Sequence, residues 1–369
     1  LGTENMLVQF GKSSYIEKAK QQPDKVKMVK NKISTDGLVP TVNAVLTKLN
    51  DPLPLGYSNA GEVIDVGENV YHFVKGDRVV SNGNHAEVTA VNKNLVAKVP
   101  DNVSDDAAAF TVISSIALQG CRVLNPTLGE TIVVIGLGLL GQITMDLLKT
   151  NGCRVIGIDL DDVKVQLAKQ RHEHALDSST DNVNEYIQTI THNIGADGVV
   201  ITAATKSNGP IEAAVEMCRK KGRIVAVGAV NMDIPRPLFY EKELSFFIST
   251  SYGPGRYDKT YEEKGQDYPI GYVRWTENRN FQAILDLLAS NKLNFNYLIS
   301  KRINFDEIGQ AYESILSDNE SLGYLIDYPN HENIEMARAI SLNSQATSES
   351  EVTAGLIGAG NFSKSTFGK

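Results

Sequence analysis

The chain has 369 residues, 42% of them hydrophobic, 22% charged and 7% aromatic, the composition of a folded protein with room for two or three domains rather than of a disordered or fibrous chain. Thirty-six Lys and Arg against 44 Asp and Glu leave a formal charge of −8, which argues against nucleic acid as the main partner. Cys121, Cys153 and Cys218 are far apart with no CxxC pair; that excludes a disulfide framework and a cysteine-rich zinc site and points to a reducing, cytoplasmic setting.

Residues 1–50 carry Lys-rich helical patterning over 16–32 and 42–49, broken at Gly37-Leu38-Val39-Pro40, and show no visible chemistry. From Gly56 to Pro100 the pattern changes to short strands punctuated by glycine, predicted over 61–67, 76–80 and 86–91, a small bent β-domain. Between 131 and 250 strands alternate with amphipathic helices: 131–135, 154–159, 198–202, 223–227 and 244–250. That alternation means parallel βαβ units. The last of these strands is apolar and reads as a sheet edge, from which a homodimer is expected. A Tyr- and Arg-rich loop follows over 252–279, then a helix (280–290), a strand (298–303), a helix (305–317) and a strand (323–328). These late elements are too few to stand alone and are expected to return to the β-domain. Residues 329–350 read as a polar linker. No internal repeat is visible, and the most apolar stretch, 131–148, is too interrupted by glycine, Gln142 and Asp146 to span a bilayer. With Leu1 at one end, no signal-type segment after it, and Lys369 where a helix should begin, the chain reads as cut at both ends.

The sharpest motif is Val133-Val134-Ile135-Gly136-Leu137-Gly138-Leu139-Leu140-Gly141, an apolar strand running into GxGxxG and then a helical pattern. Gly136 permits a tight turn, Gly138 lets backbone approach a pyrophosphate, and Gly141 lets helix and strand pack closely. The N–H groups at the helix start, Leu139 and Leu140 included, face the anion. Asp159 ends the next strand, 18 residues after Gly141, where a carboxylate accepts hydrogen bonds from ribose hydroxyls and repels a 2′-phosphate; NAD is therefore expected, NADP less so. Thr202, Ala203 and Gly228 stand at further strand ends, where an open α/β sheet binds its ligand.

The order of glycine-punctuated β-domain, mid-chain Rossmann unit and returning C-terminal segment resembles the medium-chain dehydrogenase/reductase superfamily, the zinc-type alcohol dehydrogenases. The resemblance runs from Leu1 to about Tyr328. It rests on Gly61, Gly67, Gly76-Asp77 and Gly83-Asn84-His85-Ala86-Glu87 for a GroES-like domain, and on Gln310-Ala311-Tyr312 for the C-terminal helix. It implies an α/β fold: a GroES-like β-domain over 1–115 and 265–328, plus a doubly wound parallel Rossmann sheet over 116–264. Members with catalytic zinc carry Cys-Gly-x-Asp, Gly-His-Glu and a further Cys. The matching stretches here read Leu1-Gly2-Thr3-Glu4, Gly56-Tyr57-Ser58 and a Thr111–Ser115 stretch without cysteine, so no metal is expected.

Without a Lewis acid another group must handle the proton of a reacting hydroxyl, and Tyr57 and His85 are the candidate relays. Tyr57 either projects into the cleft or packs on the apolar run Pro52-Leu53-Pro54-Leu55; His85 is either a relay or an ordinary turn histidine. Ser58, Asn59 and Ser114 offer hydrogen bonds. In the 252–279 loop, Arg256, Arg274 and Arg279 among tyrosines and the single Trp suit a sugar carrying a carboxylate or phosphate, unless the loop is a rigid support or a docking surface. At 351–369, Gly358-Ala359-Gly360-Asn361-Phe362-Ser363 resembles the start of the glucose-fructose oxidoreductase, inositol dehydrogenase and MocA family. The two resemblances together imply a two-domain bacterial oxidoreductase of surface-polysaccharide biosynthesis. The expectation is a zinc-free, NAD-dependent dehydrogenase of sugars or sugar nucleotides; a quinone or enoyl reductase, and a dinucleotide-binding module without chemistry, are the alternatives.

Overall fold

The computed structural model describes residues 2–50, 53–315, 318 and 320–329. The expected linker beyond Pro329 and the second fingerprint lie outside them. The chain divides into two units, Leu1–Asn5 with Leu55–Tyr328, and Met6–Pro54 with Pro329–Lys369.

In the second unit the helical patterning becomes helices Tyr15–Gln21, Pro23–Asp36 and Leu38–Asn50. Ser14 opens the first with a capping box, its hydroxyl accepting from the Glu17 N–H while the Glu17 carboxylate accepts from the Ser14 N–H. Pro23 occupies the first turn of the second helix, and Pro40 lies in the first turn of the third, where a missing N–H breaks no helical bond. The expected break therefore shrinks to Gly37, at φ +86°.

The first unit begins with an antiparallel sheet of β1 (Asn59–Glu62), β2 (Arg78–Ser81) and β3 (Val96–Lys98), with Ala60 opposite Val80 and Val80 opposite Ala97. Here the sequence reading needs correction. Residues 86–91 form no strand, because their alternating pattern is largely solvent-exposed and meets no ladder partner; Val96–Lys98, unmarked by any long apolar run, pairs with β2 instead.

The parallel sheet holds β4 (Thr131–Ile135), β5 (Arg154–Asp159), β6 (His174–Asp177), β7 (Ala196–Ile201), β8 (Cys218–Ala226) and β9 (Ser245–Ile248), in the order β6-β5-β4-β7-β8-β9. β6, four residues without a β-branched side chain, escaped the sequence reading. In β4 every residue is buried, and alternate side chains enter opposite cores. Ile132 and Val134 join Leu124, Ile143, Leu148, Phe281 and Phe295 on one face, whereas Val133 and Ile135 join Ile156, Ile187, Val199 and Ile211 on the other. Both faces are thus covered by helices, as a purely parallel sheet requires. The strand order reverses between β4 and β7, which opens a crevice beyond their carboxyl ends.

The C-terminal part supplies helix Glu277–Ala289, then a parallel pair, β10 (Ile299–Asn304) and β11 (Gly323–Asp327), with helix Ile308–Ile315 between them. The helix expected from 305 starts as a 3-10 turn, Phe305–Glu307, and becomes α-helical at Ile308.

Candidate active site

At the crevice, β4 runs into Gly136, whose φ of +97° is open to glycine at little cost. Gly141 is dictated by contact: a Cβ there would lie 1.8 Å from the Gly136 carbonyl oxygen. Gly138 differs from both. Its φ is −64°, it caps helix Leu139–Thr150 with no side chain on the helix N–H groups, and a Cβ on it would meet nothing within 4 Å. The turn therefore keeps an open face directly over unpaired helix N–H groups, the cradle that a pyrophosphate requires.

Asp159 closes this turn. Its Oδ2 accepts from the Leu137 N–H at 2.5 Å and its Oδ1 from the Asp161 N–H at 3.0 Å, so the carboxylate is aimed at the end of β5 and keeps lone pairs for ribose hydroxyls. The Thr202 hydroxyl donates to the Gly136 carbonyl at 2.6 Å, the Ala203 N–H donates to Ile135, and a Cβ at Gly228 would lie 2.0 Å from the Ala203 carbonyl oxygen. The structure thus brings Gly136, Gly138, Leu139, Leu140, Gly141, Asp159, Thr202, Ala203 and Gly228 to the carboxyl ends of adjacent strands. These residues fit a dinucleotide.

In the β-domain, the His85 N–H donates to the Leu55 carbonyl at 2.8 Å, joining the loop after β2 to the Gly56–Tyr57 segment. Gly56, at φ +86°, lies under the His85 ring, so that a Cβ there would be 2.6 Å from Cγ and 2.7 Å from Nδ1. Tyr57 is half-buried and packs against the main core. His85 Nε2 is 2.8 Å from Glu4 Oε1, and the Tyr312 hydroxyl donates to the same oxygen at 3.2 Å. Burial pushes the Glu4 carboxyl up, the His85 hydrogen bond and then that of Tyr312 pull it down, and the net direction is below its ordinary value.

Ser58 and Asn59 are engaged within the β-domain: the Ser58 hydroxyl donates to the Ala109 carbonyl at 2.5 Å, and the Asn59 amide donates to Gly83 while its oxygen accepts from Ser81. Beside Ala109, on helix Thr111–Leu124, the Thr111 and Ser114 hydroxyls are fully buried and have no hydrogen-bond partner among the described residues. Among the described residues no three His, Cys, Asp or Glu side chains converge as metal ligands, and the chemistry of the Tyr57 position does not fit the zinc of the resembling enzymes.

The 252–279 loop spends much of its charge on itself. Arg279 binds the Val273 and Tyr268 carbonyls and the Asp267 carboxylate. Arg256 donates to Glu262 at 2.6 Å with its guanidinium carbon 4.2 Å from the Tyr257 ring centre. Arg274 differs: it is exposed and stacks on Trp275 at 3.8 Å. Arg122 lies 3.4 Å from the same ring centre, and two guanidiniums that close must lie on opposite faces. Burial, aided by the Arg274 charge, lowers Arg122 to about 10. Glu277, at the start of the following helix, is fully buried, and neither of its oxygens is hydrogen-bonded among the described residues; burial, then the Glu262 charge, push it up to about 8 against the pull of Arg256. Glu4, Thr111 and Glu277 are buried or half-buried polar side chains that the sequence does not single out. Glu4 was legible only as the acid in a stretch matched for its lost cysteine.

Residues 140–264 match the zinc-binding dehydrogenase family. Sorbitol dehydrogenase of Halalkalibacterium halodurans is 23% identical over 303 residues, covering 72% of this chain and 81% of that protein. D-guloside 3-dehydrogenase of Escherichia coli is 27% identical over 269 residues, covering 70% and 72%. Among solved structures, the alcohol dehydrogenase TADH from Thermus sp. ATN1 superposes with a TM-score of 0.61 at 20% identity, covering 74% of this chain and 84% of that one. The fold is α/β, with the parallel sheet and small β-domain of the solved alcohol dehydrogenase it superposes on, and residues 140–264 are similar to the zinc-binding dehydrogenases. By class it is an oxidoreductase.

Proposed function

We propose that the chain is a zinc-independent oxidoreductase that uses NAD(H), in preference to NADP(H), to interconvert a hydroxyl and a carbonyl of a sugar, polyol or sugar nucleotide. The observation that carries this reading is the open face of Gly138 over the helix start, with Asp159 fixed beside it. When bound, the nicotinamide accepts or gives the hydride. The residues 136–141 hold the pyrophosphate through backbone N–H groups, and Asp159 accepts from the ribose and disfavours a 2′-phosphate. His85, whose ring lies over Gly56, and Tyr57, the next residue in the chain, are the groups proposed to move the hydroxyl proton. Arg274, whose guanidinium forms no ion pair among the described residues, is the arginine of the loop left to meet an anionic substrate group. The names of the sorbitol and guloside enzymes support a polyhydroxylated substrate. The test is turnover of NAD+ and NADP+ by the chelator-treated protein against a panel of polyols, sugars and sugar nucleotides: NAD+ reduction that survives chelation supports the reading, and activity that returns only with zinc overturns it.

A further inference from the structure

We infer that Glu4 is a positioning residue that makes His85, through its Nδ1, the proton-accepting side chain of this site. The inference rests on the oxidoreductase reading and deepens it by choosing between His85 and Tyr57. Three elements remote in sequence converge: Glu4 from helix Gly2–Lys12, His85 from the loop after β2, and Tyr312 from helix Ile308–Ile315. Glu4 Oε1 meets His85 Nε2 at 2.8 Å and the Tyr312 hydroxyl at 3.2 Å, and the Glu4 and His85 side chains are only 17% and 18% exposed.

The chemistry follows from what each partner can carry. Glu4 is held below its ordinary value and is ionised at neutral pH. An ionised carboxylate only accepts, so His85 must present Nε2–H to it, and the lone pair of a neutral imidazole is then forced onto Nδ1. Burial and the Glu4 charge push the Tyr312 phenol up, so Tyr312 keeps its proton and donates it to Glu4 without competing as a base. Tyr328, also pushed up by burial, is a further neutral phenol beside this group. On the Gly56 side the ring lies so close that a Cβ there would be 2.6 Å from Cγ and 2.7 Å from Nδ1, and the His85 backbone N–H donates to the Leu55 carbonyl. Among the described residues Nδ1 has no hydrogen-bond partner. An imidazole whose far nitrogen is fixed by a buried carboxylate is oriented for proton transfer at the near one. In the oxidation direction the substrate C–H bond breaks with its electron pair passing to NAD+, the O–H bond breaks, the C=O bond forms, and the proton goes to His85 Nδ1.

The test is 15N NMR of the histidine-labelled protein, with the His85 signals assigned by their loss in His85→Gln. The wild type should show His85 as the Nε2–H tautomer; Glu4→Gln, whose amide can donate as well as accept, should show mixed tautomers, and Glu4→Asp should restore the wild-type pattern in part. In steady-state polyol oxidation, Glu4→Gln should lose about 100-fold or more in kcat with the KM for NAD+ within about two-fold of wild type, and Tyr57→Phe should lose far less. An Nδ1–H tautomer in the wild type overturns the inference even where Glu4→Gln does not fold, as does a Glu4→Gln protein with unchanged tautomer and kcat. Failure of the wild type to oxidise any polyol or sugar would instead refute the oxidoreductase reading, and the tautomer still decides the role of Glu4.

Discussion

At Gly56 the missing Cβ admits the His85 ring, and the φ of +86° adds a second reason for glycine. Gly56→Ala should therefore cost about 1 to 2 kcal/mol of stability and displace His85, reducing turnover while leaving NADH affinity near wild type; urea denaturation and fluorescence titration of NADH check both halves. The arginines of the loop divide the same way. Arg279→Met removes bonds to two carbonyls and a carboxylate and should destabilise by about 1.5 to 3 kcal/mol. Arg274→Met should leave the urea midpoint unchanged and raise the KM of an anionic substrate. At this scale the sequence shows which residue types are present but not which are already engaged. The spacing of Gly136, Gly138 and Gly141 was legible because one local turn holds all three. The Glu4–His85 contact spans 81 positions and the Glu4–Tyr312 contact 308, separations that carry no periodic signal.

Among the elements, the parallel strands were legible because a strand buried on both faces must be apolar throughout, as β4 is. β3 and β6 were not, since three or four residues are held by their neighbours' ladders rather than by their own pattern. The helix Glu277–Ala289 begins with a buried acid that no helix propensity would reveal. Because the folded protein raises Glu277 to about 8, it binds a proton more tightly than the unfolded chain. Its stabilising contribution is then complete below the ordinary carboxyl value and is lost as pH rises toward 8. Glu277→Gln, which keeps the shape and removes the ionisation, should flatten the decline in stability between pH 5 and about 8. Parallel urea midpoints across that range are the check, and curves that stay parallel for wild type and variant would refute it.

For the whole molecule, β9 forms one edge of the six-stranded sheet, and there Phe247 is 42% and Ile248 60% exposed. An unprotected apolar edge invites pairing with its own copy. The wild type should be a dimer by light scattering at micromolar concentration, and a charged Ile248→Lys edge should shift it toward monomer; a monomeric wild type would refute this. Gly138 is the decisive position for dinucleotide binding, because there a side chain would alter ligand space without disturbing the fold. The most direct measurement is calorimetric titration of wild type and Gly138→Val with NADH and NADPH. Wild type should bind NADH more tightly than NADPH, and Gly138→Val should lose dinucleotide binding while its stability stays within about 1 kcal/mol, the scale of an N-cap change. Undiminished NADH binding by Gly138→Val, or no binding by wild type, would contradict this.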